Sequence, residues 1–542
     1  MEQANADGFD LGTRLPLEIL PHILSHLSWR VKDLAACALV ARSWNRYATP
    51  LLYARLFLRD QRRVRRVFAS LEANKHLAKL VRVLEIRVFP FGLPAEELEK
   101  LEASLLRSLQ HCEGLEELYW TRTGSLTDRV VPDLPKLPSL HTLELTGSSR
   151  FYTPASITTH LLAPSKTPNL RHFSLVLPDR DVAAELPNWA SQLGKKLESF
   201  SVLCQHSAII TDELLARIAE HLSGLRRLSI AGCKWVTAEG LLPLLQSAKG
   251  QIRELAIEGL AIHPSTFHTL ARCLPHLVSL SITYPRPNLC SASEHWQALA
   301  SFVEDLPDLQ AFTHYTSSWN TPKGMYSETL DSDQDDNDDD DGGTGAERRH
   351  EQLQQQRRQT SATSLSWTPR PTQPPVMREP KLSATFLRRL IMARGAQLSK
   401  LRIHGIATST EQLGEVCSGC PQLRDLVLHL YESDKPSIAA SISHLPKLAS
   451  LHILSSLYAD LFLSEDDLRH LAKVASPELR QIGFRNRVWL VERSSSPMAD
   501  QVGDPGDDDN DRWRLQDGRI VSLNRWDMAA GTFPEVLLVV RA

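Results

Sequence analysis

The chain has 542 residues and a net charge of −3, with 42% hydrophobic and 23% charged residues. This length exceeds what one compact core usually supports, so we expect several domains or an elongated repeat array. Eight cysteines and an acidic start without an apolar leader argue against a disulfide-rich secreted protein, and no apolar stretch reaches the roughly 18 residues that span a bilayer.

After a start that we expect to be disordered, residues 1–13, the segment 15–53 predicts three short helices. Pro16 stands where a helix begins, Asp33 is the predicted N-cap of the second helix, and the third begins near Ser43 and Trp44. The first helix carries one broad apolar face, formed by Ile19, Leu20, Ile23, Leu24 and Leu27. Three helices in about 40 residues are marginal as an independent fold, so we expect a partner surface here.

The same segment resembles an F-box, with boundaries at 14–56. The opening Leu15-Pro16-x-Glu18-Ile19-Leu20, the Asp33-Leu34 turn and the closing Val40-x-x-Ser43-Trp44 agree with that family in order and spacing. The resemblance implies docking onto the Skp adaptor of a Skp/cullin/F-box ubiquitin ligase. It assigns this contact to ten residues: Leu15, Pro16, Ile19, Leu20, Ile23, Leu24, Leu27, Leu34, Val40 and Trp44.

A basic helical linker is predicted next, at residues 57–79. Its run Arg62-Arg-Val-Arg-Arg66 has two interpretations. It is either a nuclear-localisation signal or the solvated face of a helix whose buried stripe comprises Leu58, Val64, Val67, Phe68 and Leu71.

From residue 80 onward one strand pattern recurs, apolar-x-x-apolar-x-apolar, as in Leu140, Leu143 and Leu145. Between these strands the pattern turns helical, as at 212–222, where Thr211 is the predicted N-cap. A strand and helix unit of about 27 residues cannot bury its apolar face alone, so the copies must stack. We therefore predict an α/β solenoid of leucine-rich repeats at 80–315 and 382–486, with parallel strands on the concave face.

Two acidic segments interrupt this pattern. Residues 316–381 hold an Asp run at 331–341 and Gln-rich and Pro-rich stretches, which predict a disordered insertion. The C-terminal part, 487–542, predicts capping strands at 487–492 and 532–540 around an acidic loop at 494–511. We hypothesise that the Asp run acts as a pseudosubstrate for a basic strand, 400–404; the alternative is a solvated loop without a partner.

Side chains that alternate with the core positions of each strand should point to the concave side. In the first half these side chains are largely acidic: Glu117, Tyr119, Glu144, His172, Arg227, Glu254 and Glu258. After the insertion they are largely basic: Lys400, Arg402, His404, Asp425, His429, His452 and Arg485. Tyr119, Arg227 and the basic set are the predicted substrate contacts, and the basic end suits an acidic or phosphorylated partner. The alternative is a solvated face without preference.

No hydrolase, zinc-protease, dinucleotide or P-loop motif occurs, so we predict a noncatalytic protein without a cofactor. The pair Cys417 and Cys420 is either half of a zinc site or two small buried residues at a helix end. An F-box followed by repeats, here most similar to filamentous-fungal members, implies the substrate receptor of a ubiquitin ligase. The alternative is a scaffold that binds the Skp subunit without a cullin. A third hypothesis, a hydrolase, has no motif in the sequence to support it. We expect an intracellular protein, cytoplasmic or nuclear, whose partners are the Skp adaptor, a cullin through Skp and a protein substrate, with neither nucleic acid nor membrane.

Overall fold

We describe a computed structural model of the chain. The residues that it describes are 17–27, 30–58, 61–90, 93–286, 288–316, 379–432, 434–455, 461–494 and 520–525. Several predicted features lie outside these residues: the disordered start, Leu15, Pro16, most of the insertion 316–381, the loop 494–511 apart from its first residue and the strand 532–540.

Sixteen strands in the described part of the chain form one sheet, in sequence order. They are β1 Arg55–Leu58, β2 Val83–Ile86, β3 Glu117–Trp120, β4 Thr142–Thr146, β5 His172–Val176, β6 Ser199–Ser207, β7 Arg227–Cys233, β8 Glu254–Glu258, β9 Ser279–Thr283, β10 Ala311–Tyr315, β11 Lys400–Thr408, β12 Asp425–Leu430, β13 Ser450–Ser455, β14 Gln481–Phe484, β15 Arg487–Ser494 and β16 Ile520–Arg525. From β1 to β14 every neighbouring pair is parallel. The predicted leucine-rich-repeat solenoid is confirmed.

Helices alternate with these strands. They are α1 Leu20–Ser25, α2 Val31–Val40, α3 Arg42–Ala54, α4 Gln61–Ala73, α5 Lys75–Ala78, α6 Ala95–His111, α7 Pro154–His160, α8 Arg180–Leu193, α9 Asp212–Ala219, α10 Ala238–Ser247, α11 Phe267–Arg272, α12 Ala292–Glu304, α13 Ala384–Arg394, α14 Thr410–Gly419, α15 Lys435–Ile442 and α16 Glu465–Val474. Within the described ranges, no helix combines the length and the apolar character that a membrane span requires.

The repeats share one core between the sheet and the helices. Leu143 and Leu145 of β4, for example, are buried together with the helix residues Leu186 and Trp189 of α8. The helices begin where a side chain accepts a backbone N–H, as the hydroxyl of Thr211 does from Leu214 at 3.3 Å. Such caps satisfy backbone donors that the first helical turn leaves unpaired, and they recur at α8, α9, α10 and α12 to α16.

The sheet begins earlier than expected. β1 pairs in parallel with β2, so a repeat strand occupies part of the segment predicted as a basic linker. Helix α4 follows it, and Val64, Phe68 and Leu71 of that helix are buried in the repeat core. The basic run 62–66 therefore lies on a helix with a buried stripe, as one of its two interpretations required.

The insertion does not interrupt the sheet. β10 and β11 are direct neighbours, with Ala311 opposite Lys400 and Tyr315 opposite His404. The chain leaves the sheet at Thr316, whose N–H donates to the His404 carbonyl at 3.1 Å, and returns at Leu382, whose N–H donates to Ala407 at 2.9 Å. Both ends of the insertion are thus attached to β11.

The C-terminal end of the sheet changes direction. β15 runs antiparallel to β14, with Trp489 opposite Ile482, and β16 runs antiparallel to β15. Val488 and Trp489 are buried. A capping strand at 487–492 was predicted; the strand at 520–525 was not, because its short run Ile520-Val-Ser-Leu carries a weak alternation.

Candidate functional site: the N-terminal helices and the helix-free face of the sheet

The three N-terminal helices pack around a small core of their own. Leu24 of α1, Leu34 of α2 and Ala48 of α3 are fully buried together, and Leu27 and Trp44 pack against them partly exposed. The core is small because three short helices offer few apolar side chains. A core of this size leaves part of the domain's apolar surface in contact with solvent.

Several large apolar side chains of these helices are exposed. Ile19 is 40% exposed and Ile23 37% on the first helical segment, while Leu39 is 87% and Val40 62% exposed at the end of α2. Leu17 and Val31 are also exposed. The resemblance did not assign Leu17, Val31 or Leu39 to the adaptor contact.

Three of the residues assigned to the adaptor contact need correction. Leu20, Leu24 and Leu34 are buried. A side chain without exposed surface cannot touch a partner while the domain stays closed, so these residues hold the helices together instead. Asp33 is also not the N-cap of α2, because that helix begins after Arg30. The Asp33 carboxylate instead forms an ion pair with the Arg30 guanidinium, at 2.5 Å.

The strands place the predicted substrate contacts in rows on one side of the sheet. We call this side the helix-free face, since its residues alternate with those in the core. Parallel register aligns one row across the sheet: Glu85, Tyr119, Glu144, Ser174, Ser201, Ser229, Ala256, Ser281, Thr313, Arg402, Val427, His452 and Gly483. A second row includes Glu117, Thr142, His172, Ser199 and Arg227.

Arginine and glutamate side chains form hydrogen-bonded ion pairs at the first strands of the helix-free face. The guanidinium of Arg55 donates to the Glu85 carboxylate at 3.1 and 2.6 Å. Arg87 donates to Glu85 at 3.1 Å and to Glu144 at 3.4 Å. The Tyr119 hydroxyl donates to Glu117 at 2.8 Å, and burial together with this carboxylate raises the tyrosine pKa.

A cavity of about 400 Å³ lies on the helix-free face over β3 to β7. Glu117, Tyr119 and Glu144 line it on one side, and His172 and Arg227 line it toward the other. Burial raises the pKa of Glu144, although Arg87 acts in the opposite direction. Burial lowers the pKa of His172, and the positive charge of Arg227 adds to this effect. Of the predicted contacts, Tyr119 and Arg227 thus border one cavity.

The basic set after the insertion is arranged differently. Arg402 is 6% exposed and its guanidinium binds the Asp425 carboxylate at 3.0 and 2.5 Å. His404 and His452 are buried, and burial lowers their pKa values to about 3 and about 4. The His452 ring also bonds to the Arg485 carbonyl at 2.6 Å. These imidazoles are therefore neutral at physiological pH.

The expectation of an accessible basic surface is wrong for four of its residues. Arg402, His404, His429 and His452 occupy the predicted side of the strands but are buried. Lys400 and Arg485 are partly exposed, and the Arg485 guanidinium donates to the Leu461 carbonyl at 3.3 Å. Alternation along the strands could not show that Asp425 neutralises Arg402, and Arg485 lies beyond the end of β14. The pseudosubstrate hypothesis depends on the run 331–341, which lies outside the described residues, and stays a prediction.

The two paired cysteines belong to the core. Cys417 lies near the end of α14 and Cys420 follows it, and both are buried, which raises each thiol pKa to about 12. This is the small-buried-residue interpretation of the pair. Among the described residues, no group of three histidine, cysteine or acidic side chains is arranged to hold a metal ion.

The comparisons with known proteins support the N-terminal assignment. The F-box-like family matches residues 13–59. The N-terminal segment is an F-box-like domain. No curated protein matches the chain. Together with the repeat sheet, the match gives an F-box-like domain followed by leucine-rich repeats.

Solved structures resemble the chain at low identity. The yeast Rad7 and Elc1 complex contains a chain that is 14% identical, with a TM-score of 0.39; the match covers 84% of this chain and 90% of that one. The leucine-rich repeat-containing protein LegL7 from Legionella pneumophila is 12% identical, with a TM-score of 0.35, over 71% of this chain and 98% of that one.

Proposed function

We propose that the chain is the substrate-recognition subunit of a Skp/cullin/F-box ubiquitin ligase. The F-box-like domain would bind the Skp adaptor, and through it a cullin, while the repeats bind a protein substrate. The chain itself would perform no chemistry. It would raise the reaction rate by holding the substrate near a ubiquitin-charged enzyme, since proximity converts a bimolecular step into an effectively unimolecular one.

One observation carries this proposal. The F-box-like domain buries a core of its own and still exposes Ile19, Ile23, Leu39 and Val40. Exposed apolar groups on a domain of this size mark an interaction surface, because burying them against a partner removes them from water. The predicted adaptor contacts Ile19, Ile23 and Val40 lie in that set, and Leu27 and Trp44, also predicted contacts, pack against the small core partly exposed.

The cysteines fit a reducing compartment. All eight are free thiols. A subunit of this kind would work in the cytoplasm or the nucleus, where thiols remain reduced.

The proposal is tested by measuring binding of a purified Skp adaptor to the full chain and to a variant that begins at Arg55, which keeps β1. The full chain should bind and the shortened chain should not, while circular dichroism of the shortened chain retains the repeat signal. Equal binding by both chains would refute the assignment of the adaptor contact to the F-box-like domain. The scaffold alternative makes the same adaptor contact and differs only in lacking the cullin.

A further inference from the structure

We propose that the cavity over β3 to β7 binds a lysine or arginine side chain of the substrate protein. The inference rests on the proposed receptor function and names the chemistry of its ligand. It keeps the predicted contacts Tyr119 and Arg227 and leaves out the predicted basic contacts after the insertion, so the preferred partner charge changes from acidic to basic.

The cavity exists because short side chains lie between long ones. Ser174 of β5 and Ser199 and Ser201 of β6 form its floor. On one side stand Tyr119 and Glu144, and on the other Arg227 of β7. A serine fills far less space than a glutamate or tyrosine, so the two middle strands leave a hollow with a hydroxylated floor. Its volume of about 400 Å³ falls within the range of sites that enclose ligand groups.

The charges around the cavity favour a cation. Glu117 and Glu144 line its acidic side, and Glu85 lies next to them in the same row of the sheet. Arg55 pairs with Glu85, Arg87 pairs with Glu85 and Glu144, and Glu117 accepts from the Tyr119 hydroxyl. The Arg87 contact to Glu144 is long, at 3.4 Å. Burial raises the Glu144 pKa despite this arginine, so the carboxylate lacks full compensation for its desolvation. A cationic side chain from a partner would supply that compensation.

The side of the cavity near Arg227 indicates a second feature of the ligand. Arg227 is exposed there and lies 4.0 Å from Glu254. His172 lines the cavity as a neutral imidazole whose buried Nδ1 has no hydrogen-bond partner in the structure. β4 and β7 are three strand spacings apart, roughly 14 Å, which an extended peptide spans in about four residues. The ligand is therefore an extended segment with a basic residue toward Glu144 and an acidic residue about four positions away toward Arg227.

A random twelve-residue peptide library displayed on phage, selected against the full chain bound to its Skp adaptor, tests this inference. We expect selected peptides to share one lysine or arginine, with an aspartate or glutamate about four positions away. The synthetic consensus peptide should then bind the Glu117→Gln, Glu144→Gln double variant at least about tenfold more weakly, since charge-assisted hydrogen bonds are lost. The matched variant Glu99→Gln removes an exposed carboxylate on α6 and should bind normally.

A second arm locates the contact. Replacing the basic residue of the peptide by glutamine should weaken binding to the unaltered chain, but should have little further effect on the double variant. A consensus without a basic residue, or a consensus peptide whose affinity the double variant retains, overturns the inference. Adaptor binding is measured on the same proteins. If the chain binds the peptide but does not bind the adaptor, the receptor function is refuted. If the chain binds the adaptor but the selected peptides share no basic residue, the proposed ligand of the cavity is refuted.

Discussion

Ile19 and Ile23 differ from Leu20 and Leu24 in what surrounds them, although all four are apolar residues on one helical segment. The two leucines are buried, and the two isoleucines stay about two-fifths exposed. Mutations in the two pairs should therefore have different consequences. A polar change at a leucine would unfold the small domain, whereas a polar change at an isoleucine would alter only its surface.

We predict that Ile19→Asp with Ile23→Asp abolishes adaptor binding while the fold is retained. Placing two carboxylates in an apolar interface typically costs more than about 2 kcal/mol of binding free energy. The measurement is calorimetric titration of the Skp adaptor into the full-length variant. The matched control is Phe151→Asp with Met392→Asp, which changes two exposed apolar residues of the repeats. Undiminished binding by a folded Ile19 and Ile23 variant would contradict the proposed interface.

The residue pattern of each strand predicted the side of the sheet to which a side chain points better than it predicted whether that side chain is buried. Strand alternation placed Glu117, Tyr119 and Arg227 on the helix-free face, and these residues border one cavity. The same alternation placed Arg402 and His404 there, yet these residues are buried. Their burial depends on side chains of neighbouring repeats, such as Asp425, and on how closely these side chains pack. The alternation within one strand contains no information about either.

At the scale of elements, two buried histidines join β10 to α12. The Nε2 atoms of His295 and His314 lie 3.3 Å apart, and the Nδ1 atom of His314 lies 2.9 Å from the Ile282 carbonyl. Burial lowers the pKa of His295 to about 2 and that of His314 to about 4. Both are neutral in the folded protein near neutral pH, whereas an unfolded histidine takes up a proton near pH 6.5.

We predict that stability falls as the pH drops below about 6.5, because only the unfolded state then gains protons at these positions. The loss begins near pH 6.5 and continues down to the folded-state pKa values, about 4 for His314 and about 2 for His295, and it amounts to roughly 2 kcal/mol for each histidine at pH 5. His295→Phe with His314→Gln should reduce the shift of the urea midpoint between pH 7.5 and pH 5. His268→Gln, an exposed control on α11, should leave that shift unchanged. An equal shift in the double variant would contradict this account.

The antiparallel strand β15 closes the parallel array. Trp489 is buried in the repeat core opposite Ile482 of β14. We predict that Trp489→Ala lowers the free energy of unfolding by about 3 kcal/mol, because the substitution leaves a cavity at the end of the core. Hydrogen exchange should accelerate first in β14 and β15. Trp235→Ala, at an exposed tryptophan, should change stability by less than about 0.5 kcal/mol. A Trp489 variant as stable as the unaltered chain would show that β15 is not a structural cap.

The sequence period predicted the repeating strands and helices but not the first strand of the array. The helical stripe of α9 and its cap at Thr211 follow from the sequence, and both are present. The first strand, β1, was not predicted, because Arg55-Leu-Phe-Leu58 lacks the full apolar spacing of its neighbours; its residues were divided between the predicted F-box, 14–56, and the predicted linker, 57–79. It becomes a strand through pairing with β2, a contact between residues about 28 positions apart that local patterns do not encode.

For the whole molecule, the continuity of the sheet matters most. Strands β10 and β11 pair directly although about 84 residues separate them, so one sheet continues past the insertion. The F-box-like domain precedes that surface in the chain. In the proposed receptor, the domain would bind the adaptor and the long face of the sheet would bind the substrate.

Purification of the tagged full chain from its native cells, with quantitative mass spectrometry of the proteins that remain bound, tests the proposed receptor role. A receptor subunit should recover the Skp adaptor and a cullin together, in comparable amounts. Both should disappear with Ile19→Asp and Ile23→Asp and persist with Phe151→Asp and Met392→Asp. Recovery of the adaptor without any cullin would contradict the ligase-receptor function and support a scaffold that binds Skp alone.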